Sequence, residues 1–325
     1  MPKIKYPKIF LRSKNDLSKR LSHRKFSQKE ALFLINDCIK NKDKYWEDYL
    51  AMSEPKNNKY VRNSSGTNLG KLLKLIDKNI LQPYDNLLPN YIYGGIKGRN
   101  HAMAAKNLLG NRNKKTLLKI DLVRFFEQVS KNRVESFFIL KTGCSKGVAK
   151  ILSELCCVPL GKKGGGGNNY VLARGFPTSS RLSIWTNINL FNKLFEISFS
   201  KMRKNDFRIS IYVDDIGIMV NKITDIELIK LRNEIEEIFL NFDKNHKLIM
   251  HSNNSKKGTS IIHHSDGPEF LGVGLLRNKL SVGLKSSSKR YQIRNMMQNK
   301  SSGKHKQIKK RYAGMQRYKK YIESV

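Results

Sequence analysis

Residues 209–220 read Ile209-Ser210-Ile211-Tyr212-Val213-Asp214-Asp215-Ile216-Gly217-Ile218-Met219-Val220, two short strands folded over an acidic tip. Phe207, Ile209, Ile211 and Val213 alternate with polar or amphipathic residues, and Ile216, Ile218 and Val220 resume the alternation. Asp214-Asp215 fall where a two-residue turn would join the strands. Adjacent carboxylates on a tight turn repel each other unless a cation sits between them, which points to a divalent metal. The plainer reading of the dipeptide by itself is a solvated turn, so the rest of the chain has to decide.

Composition narrows the partner. The 325 residues carry 63 Lys+Arg against 26 Asp+Glu, a net charge of +37, and so large an excess predicts a polyanion whose binding weakens with salt. Apolar residues make up 39% of the chain, and no apolar run reaches the roughly 18 residues of a membrane span. With no strongly amphipathic basic helix bearing an aromatic face, nucleic acid is favoured over a membrane surface. The basic start Met1-Pro2-Lys3-Ile4-Lys5-Tyr6 is followed by no apolar signal core. Cys38, Cys144, Cys156 and Cys157 lack metal-type spacing and read as reduced core thiols of a cytoplasmic protein. Both ends are the most basic parts: residues 1–27 hold nine Lys/Arg and one acid, and residues 285–325 hold thirteen and one. Both are expected to be nucleic-acid-facing surfaces, not core.

In chain order, Ser27-Gln28-Lys29-Glu30 resembles a capping box before a helix carrying Ala31, Ile35 and Ile39. A polar loop or short hairpin over 54–68 presents Lys59 and Arg62, and Leu69, Leu72, Leu73, Ile76 and Ile80 mark a second helix ending before Pro83. Tyr93-Gly94-Gly95-Ile96-Lys97-Gly98-Arg99-Asn100 lacks the ending of a phosphate-binding P-loop. Its glycines would let Lys97 or Arg99 approach phosphates, with an ordinary basic loop as the alternative. Thr116 to Phe126 is an apolar strand ending in one acid, Asp121, then Phe125-Phe126. An acid there is expensive to bury uncompensated; it either completes a metal site with Asp214 or caps the next helix. Helical segments follow over 132–159. The glycine-rich stretch 161–169 is a loop, and Arg174-Gly175-Phe176-Pro177-Thr178-Ser179 turns into a long helix with Thr178 or Ser179 as its N-cap.

Taken in order, Asp121 with Phe125-Phe126, Gly175-Phe176-Pro177-Thr178-Ser179, and Tyr212-Val213-Asp214-Asp215 resemble motifs A, B and C of reverse transcriptases. Their separations are 54 residues from Asp121 to Gly175 and 39 onward to Asp214. The helix from Asp225 to Phe242 with Asn254-Ser255-Lys256-Lys257 resembles motif D, and Phe270-Leu271-Gly272-Val273-Gly274-Leu275 resembles the primer-grip motif E. Tyr312 to Tyr318 resembles the thumb end of retron and group II intron enzymes, so the resemblance runs from about residue 60 onward. Departures are Ala173-Arg174 for the usual Pro-Gln, Ser180 for a proline, Ala104 to Leu108 without the retron Asn and His, and Gly272-Val273-Gly274 for Val-Thr-Gly. They favour the broader group of retron-like, defence-associated bacterial reverse transcriptases.

The resemblance implies an α+β right-hand polymerase with a ferredoxin-like palm sheet and a helical thumb. Its parts would be a basic arm over 1–27, fingers over 28–115, a palm over 116–275 with a fingers insertion at about 130–170, and a basic thumb over 276–325. Asp121 and Asp214 would hold two Mg²⁺ (Mn²⁺ as a substitute), assisted by Asp215 and the Leu122 carbonyl. Phe126 would be the steric gate against a 2′-hydroxyl. Arg174, Gly175, Phe176 and Pro177 would lie at the incoming nucleotide, with Lys257 as a proton donor and Arg62, Lys97 and Arg99 as triphosphate or template contacts. Leu271 and Gly272 would form the primer grip. The expected partners are a structured non-coding RNA template, dNTPs and the DNA product, with a second copy or an accessory defence protein beside them, and no membrane. No ribonuclease H, endonuclease, maturase or nitrilase-like segment is expected after Val325. Two other readings stay open: untemplated or protein-primed DNA synthesis at the same site, and an RNA-binding scaffold with an idle site.

Overall fold

The computed structural model describes residues 4–110, 114–252, 259–298 and 305–325. Its centre is a four-stranded antiparallel sheet in the order Arg208–Tyr212, Asp215–Asn221, Lys115–Asp121, Ser260–Ile262. The pleat explains why these sequences alternate as they do. Leu118 and Ile120 lie opposite Ile218 and Ile216, and with Ile209, Ile211 and Val220 they enter the main core. Helix Ser179–Met202 supplies Leu182, Trp185, Ile188 and Phe191 to that core, and helix Asp225–Asn241 supplies Leu228, Leu231, Ile235 and Phe239.

The other face of the sheet holds Leu117 and Met219 against Ala102, Ala105 and Leu108 of helix His101–Leu109. Ser210 Oγ donates to the Ala104 carbonyl at 2.7 Å, and Asn107 Nδ2 donates to the Ile209 carbonyl at 2.7 Å. Gly217 lets the layers close: a Cβ there would lie 2.9 Å from Leu108 Cδ1 and 2.9 Å from Phe270 Cε2. Phe270 belongs to a small three-stranded sheet of Glu269–Phe270, Val273–Leu275 and Leu280–Val282. Helices Leu284–Gln298 and His305–Ser324 follow it. The last one docks on the His101 helix, where His101 Nε2 and the Tyr318 hydroxyl are 3.0 Å apart and Ile322 is buried. The chain is thus a mixed fold of helices on an antiparallel sheet. None of its described helices is long and apolar enough to cross a membrane.

The N-terminal segment departs from expectation. Lys5, Lys8, Arg12, Lys19, Arg20, Arg24 and Lys25 are exposed, but Ile9, Leu11, Leu17 and Leu21 alternate with them into the main core. The amides of Ile9 and Phe10 both donate to the Thr142 carbonyl at 3.1 Å, and the Ser145 amide donates to the Leu11 carbonyl at 2.9 Å. Residues 4–12 therefore form a strap over the helical layer, with cations only on its outer side. Helix Lys14–Leu21 then starts from a capping box of Ser13 and Asp16.

Other local expectations are met in part. Ser27 with Glu30 forms the reciprocal cap read from sequence, and Thr224 with Glu227 forms a second one. Thr178 precedes the helix at Ser179 without a side-chain cap, because its hydroxyl faces Cys156 Sγ at 3.4 Å and Ser179 Oγ donates to the Ala173 carbonyl at 2.5 Å. All four cysteines are free and buried.

Candidate active site

Asp121 ends the central strand and lies directly opposite Asp215, the first residue of the neighbouring strand. Directly opposed residues of an antiparallel pair share a face, so both carboxylates lie on the face opposite Ile120 and Ile216. The joining turn is one residue earlier than the alternation suggested. Tyr212 pairs with Asp215, leaving Val213-Asp214 as the two turn residues. Val213 has φ +59°, and Asp214 is absent from the positive-φ residues, the φ signs of a type II′ turn. That position favours glycine, and a β-branched residue there carries strain of about 1–3 kcal/mol. The Leu122 amide donates to the Asp214 carbonyl at 3.3 Å, tying the turn to the end of the central strand.

Asp121, Leu122, Asp214 and Asp215 line one cleft of about 600 Å³ together with Lys59, Arg124, Arg174 and His251. Burial, partly offset by the Arg174 and Lys59 charges, raises the Asp214 carboxyl above the usual range, and Asp121 adds to the rise. Burial and then the charge of Asp214 push Asp215 up to about 6, with Lys119 opposing. Three mutually repelling carboxylates are hard oxygen donors of the kind Mg²⁺ prefers, so the residues fit that ion in kind. Among the described residues, no group of three or more Asp, Glu, His or Cys side chains is gathered closely enough to hold a metal ion. Magnesium characteristically binds through one or two carboxylates with substrate phosphates completing its shell.

Beside the acids, Arg174 makes paired bonds to Glu127, Nε to Oε1 at 3.0 Å and Nη2 to Oε2 at 2.9 Å. Its guanidinium carbon stands 4.8 Å from the centre of the Phe126 ring. Phe126 lies in the short turn Phe125–Gln128, partly buried against the core. Gly175 has φ +97°, and a Cβ there would lie 2.5 Å from the Arg62 carbonyl, so glycine lets this loop approach residue 62.

Several residues expected at the nucleotide do not line the acidic cleft. Phe176 is 4% exposed and belongs to the main core, and Pro177 follows it half-buried. Arg62 is 5% exposed; it pairs with Asp48, donates to the carbonyls of Pro159 and Gly161, and lies over the rings of Trp46 and Tyr60. Its charge is committed to joining the 47–63 hairpin to the glycine-rich loop. Arg99 donates to the carbonyls of Pro89 and Ile92 at 2.6 Å and of Leu88 at 3.3 Å, holding its own loop. Lys97 is exposed, with its amide donating to Asp85 Oδ2 at 2.9 Å. Leu271 (φ +54°) and Gly272 (φ +73°) form the two-residue turn between strands Glu269–Phe270 and Val273–Leu275. Lys257 falls outside the described residues.

Besides Glu54, Asn57 and Val123, three further cleft residues were not picked out as site residues by the sequence reading. Lys59 is in the cleft where Arg62 was expected; the two are three apart in a polar loop, and pattern alone does not say which turns inward. His251 reaches the cleft because its amide donates to the Asp121 carbonyl at 3.0 Å, extending the edge of the sheet. Arg124 stands there with φ +41°. Gly94 supports the site from behind: a Cβ on it would overlap Val213 Cγ2 and lie 2.5 Å from the Val213 amide nitrogen.

No protein-family model matches the sequence, and no curated protein matches it at a significant level. Among solved structures, the chain has a distant likeness to the telomerase of Candida albicans in complex with the TWJ fragment of telomeric RNA. The two are 11% identical with a TM-score of 0.42, over 77% of this chain and 45% of the telomerase chain. The chain thus spans less than half the length of that protein.

Proposed function

We propose that this protein is an RNA-directed DNA polymerase of the right-hand type. The observation that carries the reading is the register: Asp121 opposes Asp215 across adjacent strands, with Asp214 on the turn between them, in one cleft. In this reading, residues 28–115 act as fingers, 116–275 as a palm with an insertion near 130–170, and 276–325 as a thumb. Residues 4–27 brace the helical layer and present cations on their outer side.

Asp121 and Asp214, with Asp215 and the Leu122 carbonyl beside them, would hold Mg²⁺, which when bound supplies Lewis-acid stabilisation of charge on the attacking and leaving oxygens. The protein's own residues then bind and orient. Lys59, paired with Glu54 at 3.3 Å on the same cleft wall, offers the cleft a cation for a triphosphate. Arg174, fixed by Glu127, lies over Phe126 and holds that ring in one orientation, as exclusion of a 2′-hydroxyl requires. The Leu271-Gly272 turn is assigned to the primer end, and Lys257 to protonating the leaving pyrophosphate. The net charge of +37 supports a structured RNA as resident partner and template, and the motif resemblance supports a role in bacterial antiphage defence.

The test is incorporation of labelled dTTP on an oligo(dT)-primed poly(rA) template with Mg²⁺ or Mn²⁺. Asp121→Asn and Asp214→Asn should each lower the rate by about a thousandfold or more, equivalent to ~4 kcal/mol of barrier. Equal incorporation by wild type and Asp214→Asn would remove the assignment. Incorporation that survives nuclease removal of all RNA would replace templated with untemplated synthesis.

A further inference from the structure

The Lys and Arg residues that line the acidic cleft differ in how far their charge is committed. Arg174 is held by its paired bonds to Glu127, and the Lys59 ammonium stands 3.3 Å from Glu54. Arg124 lines the same cleft half-buried, and among the described residues its side chain makes no hydrogen bond, ion pair or ring contact. A guanidinium presents five donors in a planar fork that matches paired oxygen acceptors, so an uncommitted one in a cleft favours an anionic ligand.

The backbone fixes where that side chain begins. The Leu122 amide donates to the Asp214 carbonyl at 3.3 Å, the Val123 amide to the Ile249 carbonyl at 2.8 Å and the Glu127 amide to the Arg124 carbonyl at 2.9 Å. Held between these bonds, Arg124 takes φ +41°. A residue other than glycine keeps such a conformation only where its surroundings impose it, and such residues cluster at ligand sites. Arg124 also stands apart from the acids of the turn. The charges acting on Asp214 are those of Arg174, Asp121 and Lys59, and those acting on Asp215 come from Asp214, Lys119 and Asp121. The cleft of about 600 Å³ thus has metal-type carboxylates in one part and an unpaired guanidinium in another.

We infer that Arg124 grips the terminal phosphates of the incoming nucleoside triphosphate and so selects a triphosphate over a monophosphate. The inference rests on the polymerase reading above. A triphosphate can be held at both ends, by a divalent cation on the acids and by the guanidinium, whereas a strand phosphate brings one anion to the cleft. Arg62 and Arg99 do not compete for this role, because both are bonded to backbone carbonyls.

Incorporation of dTTP on oligo(dT)-primed poly(rA) reads kcat and the KM values for dTTP and for primer–template separately. Arg124→Gly removes the guanidinium and suits the positive φ, so it should fold at least as well as the native chain. Its KM for dTTP should rise about tenfold or more, with kcat within about threefold and the KM for primer–template unchanged. Arg124→Lys keeps the charge without the fork and should recover part of the affinity. If Arg124→Gly does not fold, Arg124→Gln should show the same rise in KM for dTTP. With Mg²⁺ and no template, dTTP should raise the melting temperature of the native chain more than dTMP does, and Arg124→Gly should remove the difference. An unchanged KM for dTTP in Arg124→Gly overturns the inference, as does a rise confined to the KM for primer–template, which would give the guanidinium to a strand phosphate. Equal melting shifts with dTTP and dTMP overturn it too. A native chain that incorporates no dTTP but keeps the Arg124-dependent shift refutes the polymerase reading and leaves the triphosphate site standing.

Discussion

Gly94 lies against the turn residue Val213 so closely that a Cβ would lie 2.5 Å from the Val213 amide nitrogen and 3.0 Å from the Tyr212 carbonyl carbon. The contact is backbone against backbone, so no side-chain rotation can open it. On the far side, the Tyr93 amide donates to the Ile211 carbonyl and the Ile211 amide to the Tyr91 carbonyl, both at 2.8 Å. The glycine loop read as a phosphate contact thus abuts the turn that carries Asp214.

Gly94→Ala should therefore displace that turn. Overpacking of this kind costs about 1–3 kcal/mol, and DNA synthesis should fall more than stability does. Gly147→Ala is the control: Gly147 sits in helix Lys146–Cys156 with nothing within 4 Å of a Cβ. It should be neutral or stabilising by about 0.5–1 kcal/mol. Urea unfolding and incorporation assays of both variants decide the matter, and equal behaviour would show that the turn is not braced at Gly94.

Val213 itself offers a test of sign. Val213→Ala loses buried methyl groups, about 1–2 kcal/mol, while keeping a Cβ at positive φ. Val213→Gly removes more surface but also releases about 1–2 kcal/mol of left-handed strain. We expect the glycine variant to be at least as stable as the alanine variant, the inverse of the order at an ordinary strand position. A glycine variant less stable by 1 kcal/mol or more, about the cost of Gly in a strand, would contradict the turn.

Asp215 makes metal-free stability depend on pH. Its folded carboxyl is raised from 3.8 to about 6, so the folded state holds its proton more tightly than the unfolded state. The resulting stabilisation is full below pH 3.8 and lost as pH rises through 6, and amounts to at most about 3 kcal/mol. Without divalent cations, Asp215→Asn should raise the melting temperature at pH 7 to 8 and lose that advantage near pH 4. Mg²⁺ should raise the melting temperature of the native chain more than that of Asp121→Asn. Parallel pH profiles for wild type and Asp215→Asn would refute the assignment.

The Glu127 carboxylate and Arg174 guanidinium have side-chain exposures of 9% and 13%, so neither is well solvated if its partner is removed. Glu127→Gln should cost about 2–4 kcal/mol of stability. It should also free Arg174 from the Phe126 ring and raise ribonucleotide incorporation relative to deoxynucleotide. Phe126→Ala should relax the same selection further. Unchanged discrimination in both variants would exclude Phe126 as the sugar gate.

Deleting residues 1–24 removes four buried aliphatic side chains, Ile9, Leu11, Leu17 and Leu21. At about 1.5–3 kcal/mol each, the loss of about 6–12 kcal/mol rivals the stability of a whole domain. We expect an unfolded or aggregated chain. Replacing Lys5, Lys8 and Arg12 by Gln should instead preserve the melting temperature and lower only the salt dependence of RNA binding. A truncated chain with native near-ultraviolet circular dichroism would show the strap to be dispensable.

The sequence carried the acids and their order because strand alternation and an acid at the end of an apolar run are local signals. It located the hairpin but shifted the turn by one residue, since Val213 at positive φ violates the local preference on which turn reading relies. It did not say which cation would line the cleft, for a different reason. Arg62 is held by Pro159 and Gly161, 97 and 99 residues away, and no local pattern distinguishes it from Lys59, which lies in the cleft. The basic N-terminus misled similarly: its charge count averaged over the exposed lysines and hid the alternating Ile9 and Leu11.

Gly217 has a consequence reaching beyond its own strand. Because Leu108 and Phe270 close over its bare Cα, the spacing between the Leu271-Gly272 turn and the paired acids is set by an absent methyl group. Any larger residue there would lever the small sheet outward while leaving every carboxylate intact. If the proposed polymerase function holds, the result would be a chain with all its chemical groups and a misaligned bench, unable to bring the end of a strand to the place where it is extended.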